Sequence, residues 1–165
     1  MRIFTTTLLF LVPLAFGADK HPWASFKPGS YSKLKSTTSV AGNKTVTEMT
    51  QTLVSVDANN AVIEIETKMM GQSTKTRTNM PLKATATAGA PQGKAPTMTN
   101  ETITVGGKAI AAKCADMETS ANGMTTNTHA CTSEMVPGGT VKMTAKTAGA
   151  VKMETMTELV EFAAK

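Results

Sequence analysis

Four side chains in this sequence combine types and spacing that could do chemistry: Cys114, Asp116, His129 and Cys131. The two cysteines lie at equal distances on either side of Asn122-Gly123, a dipeptide that favours a two-residue type I′ hairpin turn. Closing the turn with Ala121 opposite Met124 sets Cys114 opposite Cys131 and Asp116 opposite His129. Residues two apart on a strand share a face, so all four side chains project together. At a non-hydrogen-bonded pair the Cα atoms approach to roughly 4.5 Å, close enough for a disulfide. The alternative is a zinc site, because two thiolates, an imidazole and a carboxylate make an acceptable tetrahedral set. A Cys114–Cys131 disulfide removes both thiolates and leaves Asp116 and His129 as an ordinary cross-strand pair. The disulfide is the expectation, with no metal and no other cofactor.

Other chemistry finds less material. Thioethers suit Cu(I), but the 12 methionines include Met1 and form no dense Met-x-Met-x-Met run. Met49, Met143 and Met153 stand at strand spacing, and packing accounts for them. His21 would complete an amino-terminal Cu(II) site only if processing made it the third residue. With two histidines in the whole chain, no set of nucleophile, base and orienting group can be assembled. The chain therefore reads as a non-enzyme. A net charge of +5, spread along the length rather than blocked, gives no footing for nucleic acid.

The amino terminus reads as a signal peptide over residues 1–17. Arg2 is the basic start, Leu8 to Leu14 the short apolar core, and Ala15-Phe16-Gly17 the small-residue cleavage site. That apolar run is shorter than the roughly 20 residues needed to span a bilayer, so no transmembrane anchor is expected. Export to the periplasm or the medium places the cysteines where a disulfide persists.

Residues 18–165 read as one β domain. Threonine and valine dominate, and Gly or Asn punctuates at short intervals. Strands are expected over about 30–40, 45–56, 61–70, 101–105, 108–119, 140–147 and 150–162, with a further strand after Asn122-Gly123. A turn near Asn59-Asn60 would set Val56 opposite Ile63 and Val54 opposite Ile65, with Glu64 and Glu66 on the reverse, wet face. The Pro-, Ala- and Gly-rich stretch 81–98 reads as a long surface loop. The predicted fold is all-β, an antiparallel meander of about eight or nine strands curled into a barrel or half-barrel. Aromatic residues make up only 4% of the chain, so methionine is expected to fill a thin core.

The segments His21–Tyr31, Glu48–Val54, Val136–Met143 and Glu158–Phe162 together resemble a group of exported, β-rich, Met- and Thr-rich bacterial proteins of unknown function. In architecture the predicted sheet is similar to the half-barrel periplasmic lipoprotein carriers. Independently of that likeness, the scarcity of aromatic side chains leaves room for an apolar groove in the curved sheet, lined by Val54, Val56, Ile63, Ile65 and Met69, with Ile103 and Ile110 as further candidates. Two functions stay open: a module that binds a lipid or other apolar small molecule, and a structural or interaction protein working on an envelope component. The sequence leaves the oligomeric state undefined.

Overall fold

In the computed structural model, residues 21–83, 95–121, 123–149 and 152–165 are described. The signal peptide assigned to residues 1–17 and most of the 81–98 stretch lie outside them. Among the described residues nine strands follow one another: β1 (Tyr31–Val40), β2 (Asn43–Val56), β3 (Asn60–Met69), β4 (Gln72–Pro81), β5 (Thr97–Val105), β6 (Lys108–Ala121), β7 (Met124–Thr132), β8 (Thr140–Ala148) and β9 (Met153–Ala163). They form a single antiparallel sheet in the order β4-β3-β2-β1-β9-β8-β7-β6-β5. The meander is thus joined at its middle by β1 and β9, the first and last strands. Its two edges, β4 and β5, are consecutive in sequence, and pairing them would close the sheet into a barrel. They do not pair. The sheet is open but curled, since β5 comes within 8 Å of β9 across three intervening strands.

Tight turns set most registers. Ala41-Gly42, Met70-Gly71 and Gly106-Gly107 carry positive φ at both positions, as type I′ hairpins demand. They pair Val40 with Asn43, Met69 with Gln72 and Val105 with Lys108. Strands β6 and β7 also meet as predicted at Ala121 and Met124, around Gly123 at φ 73°. Between β8 and the disulfide strand β7, Val136-Pro137-Gly138-Gly139 forms a turn in which Gly139 N donates to Val136 O at 2.8 Å. Proline then glycine at φ +80° in its centre is the type II pattern.

Three expectations need correction. The sequence pattern marks no strand over Gln72–Met80, which has no apolar residue before Met80 and is exposed over nearly its whole length, yet β4 forms there, and β5 begins at Thr97, inside the stretch expected as loop. The turn after β2 is centred one residue earlier than expected. Asp57 accepts the backbone N–H groups of Asn59 and Asn60 on one carboxylate oxygen, at 2.7 and 2.8 Å, and so holds a four-residue loop. Val56 therefore pairs with Ala61, and a bulge at Val54 brings Leu53 opposite Ile63 and Gln51 opposite Ile65. Methionine is not the general core filler either. Met69, Met70, Met98, Met124, Met135, Met153 and Met156 are exposed, whereas Met49 and Met80 pack against buried clusters.

What fills the interior is two small apolar clusters and paired hydroxyls. One cluster joins Leu34, Val105, Ile110, Ala112, Cys114, Cys131, Val136, Val141 and Leu159, and the other Trp23, Leu53, Ala61 and Ile63. Elsewhere, register partners share hydrogen bonds: Thr157 donates to Ser36 at 3.1 Å, and Thr38–Thr155 and Thr126–Thr147 meet at 3.2 and 3.0 Å. Each pair lets a threonine-rich strand bury its β-branched carbon while its hydroxyl finds a partner. Every buried side-chain nitrogen or oxygen among the described residues is hydrogen-bonded.

Candidate functional site

Two places in the sheet carry the residues singled out by the sequence. The first is at β5, β6 and β7. Cys114 and Cys131 are register partners with Cα atoms 4.0 Å apart, and they form a disulfide. Both are fully buried. Asp116 and His129 are also partners, and His129 Nδ1 meets Asp116 Oδ1 at 2.8 Å. That contact turns the other ring nitrogen inward, where Nε2 stands 3.2 Å from Cys131 Sγ.

The sequence reading missed one member. Glu101, from the edge strand β5, reaches His129 Nε2 at 3.5 Å, and its carboxylate lies within 4.8 Å of both sulfurs. Register explains the reach: Thr99 pairs with Cys114 and Glu101 with Ala112, so the glutamate crosses diagonally over the small Ala112 to the sulfur pair. The placement of β5 beside β6 was visible through Gly106-Gly107, and the alternation of Thr99 and Glu101 on one face was the signal that could have found it. Asp116, a ligand in the alternative zinc reading, instead occupies the other nitrogen of the imidazole.

The second place is the flank of β2, β3 and β4. Around buried Trp23, Leu53, Ala61 and Ile63 pack the partly exposed side chains of Phe26, Val56, Ile65, Met80 and Leu82. Of the predicted groove residues, Val56, Ile63 and Ile65 are brought together here. Val54 sits at the bulge with 36% of its surface exposed, and Met69 lies out toward the Met70-Gly71 turn. Ile103 and Ile110 belong to the other cluster, beside the disulfide. Trp23, which sequence spacing did not single out, anchors the flank. Gly138 approaches its ring so closely that a Cβ there would lie 2.9 Å from Trp23 Cζ2.

The reverse of β3 and β4 is polar. Glu64 binds Arg77 at 3.0 Å, and Lys75 lies 3.8 Å from Glu64 and 3.3 Å from Glu66. Hydrogen bonds from Ser73 and Lys75 hold the Glu66 carboxyl below its usual pKa. At the other end of the chain, Tyr31 donates to Glu161, and that bond raises the phenol's pKa. His21 is engaged locally: its Nδ1 accepts the Trp23 backbone N–H at 3.4 Å, and burial lowers its pKa. No helix among the described residues is long and apolar enough to cross a membrane. Comparison of the chain with protein-family models, curated proteins and solved structures finds no match.

Proposed function

We propose that the protein is an exported, non-catalytic binding protein that holds an apolar ligand, such as a lipid chain, against the β2–β4 flank. The observation that carries this reading is the ring of partly exposed Phe26, Val56, Ile65, Met80 and Leu82 around a fully buried Trp23–Leu53–Ile63 centre. A partly exposed apolar surface seated on a buried centre and bordered by an open sheet edge offers a small apolar molecule area to cover. The basic start, short apolar run and small-residue site at residues 1–17 support export, as does a disulfide, which persists in oxidising compartments.

A structural or interaction role through the sheet edges is less well supported. The β4 edge carries Lys75, Arg77 and terminal Pro81, devices that discourage strand addition. A fluorescent fatty-acid probe tests the binding reading. Wild-type protein is expected to take up the probe, and Ile65→Glu to lose at least tenfold in affinity while keeping its β-sheet circular dichroism. Val54→Glu, on the exposed bulge, should bind as wild type does. Equal affinity in wild type and a folded Ile65→Glu protein would remove the flank from the ligand site.

A further inference from the structure

We infer that the Cys114–Cys131 pair has a second state: once reduced, it forms a zinc site with His129 Nε2 and Glu101 as the remaining ligands and Asp116 as the group that orients the histidine. The inference uses no residue of the β2–β4 flank and stands apart from the binding function proposed above.

Three observations carry it. The four ligand atoms, one each from Glu101, Cys114, His129 and Cys131, all lie within 4.8 Å of one another. A tetrahedral zinc ion with Zn–S bonds of about 2.3 Å holds its ligands roughly 3.7 Å apart. The Nε2–Cys131 Sγ and Nε2–Glu101 distances of 3.2 and 3.5 Å are already near that spacing. The only large change required is separation of the two sulfurs, which breaking their bond permits.

The histidine is also prepared as a ligand. Metal-bound imidazoles commonly use their second nitrogen to bind a carboxylate, which fixes ring orientation and raises basicity. Asp116 Oδ1 at 2.8 Å from Nδ1 supplies that partner and directs Nε2 toward the sulfurs. Finally, two thiolates and one carboxylate around Zn2+ leave one net negative charge, and Lys142 stands opposite Cys131 in register on β8. The ligands come from three adjacent strands, β5, β6 and β7, so a bound ion would replace the covalent link with a cross-strand one.

The chemistry balances simply. A dithiol reductant gives two electrons and two protons to the S–S bond and is itself oxidised to a disulfide, leaving two thiols at Cys114 and Cys131. Zinc then binds both sulfurs and releases both thiol protons. The oxidised protein, with no thiolate to offer, does not bind.

Cobalt substitution reads this directly. Protein is reduced with a phosphine, freed of reductant without air, and titrated with Co2+ and then Zn2+. One Co2+ per chain is expected, with a thiolate-to-cobalt charge-transfer band that Zn2+ abolishes, and no band from unreduced protein. His129→Ala and Glu101→Gln should weaken binding, and Asp116→Asn should weaken it by roughly 10–100-fold while leaving the band's shape unchanged. If reduction unfolds the chain, Zn2+ should restore the β-sheet circular dichroism, since an ion that binds only the native state favours it. A reduced, folded protein without the band, a reduced chain that Zn2+ does not refold, or unchanged affinity in both His129→Ala and Glu101→Gln would overturn the assignment.

Discussion

Gly138 shows at the scale of one residue how little spare room this molecule has. Its φ of +80° lies in the left-handed region, and a Cβ would meet Trp23 Cζ2 at 2.9 Å and Gln51 Oε1 at 3.0 Å. The indole is 1% exposed and central to the smaller core cluster, so it cannot move aside cheaply. Gly138→Ala is expected to cost about 2 kcal/mol or more, combining backbone strain with overpacking, read as a lower denaturant midpoint. The same scale shows what the sequence could reveal. The Cys114–Cys131 and Asp116–His129 pairings were legible because Asn122-Gly123 dictates a two-residue turn. Glu101 was not, since its part depends on a diagonal reach from a neighbouring strand whose length the sequence pattern understated.

Among the elements, the loop between β2 and β3 decides which side chains enter the core. Asp57 caps it by accepting the Asn59 and Asn60 N–H groups, which lowers the Asp57 pKa from its ordinary 3.8. On the same hairpin pair, Ser73 and Lys75 lower that of Glu66 from 4.5. A carboxyl whose pKa falls on folding adds stability above its unfolded value and loses it as pH drops from there through the folded value. Stability is therefore expected to fall on acidification from about pH 4.5 downward, and the fall should be shallower in an Asp57→Asn, Glu66→Gln variant. Unfolding midpoints at neutral and acid pH check this; identical slopes would contradict it. The loop also explains why the register of β2 and β3 differs from the expected one. Asn59-Asn60 looks like the turn, but an aspartate two residues earlier centres the loop one residue sooner, which moves the partner of Val56 from Ile63 to Ala61, and the Val54 bulge shifts the register by one residue more. The strand β4 escaped notice for a plainer reason: at a sheet edge, no alternation of apolar residues is needed.

At the scale of the molecule, the described residues form an all-β sheet, as composition and turn spacing indicated, but its topology was only partly readable. That β1 and β9 would pair was not visible, because no local signal links chain ends. An open sheet with two modest clusters needs a brace, and the disulfide supplies one. A crosslink across a separation of 17 residues is worth about 3 kcal/mol in the chain-entropy model, so reduction in the absence of metal is expected to lower unfolding stability by about that amount. The openness is also what the proposed function depends on. Native mass spectrometry of the protein, purified without detergent, is the test of that dependence. A co-purifying apolar small molecule is expected at up to one per chain, diminished in Ile65→Glu and retained in Val54→Glu. Wild-type protein that carries no ligand and takes up no apolar probe would contradict it.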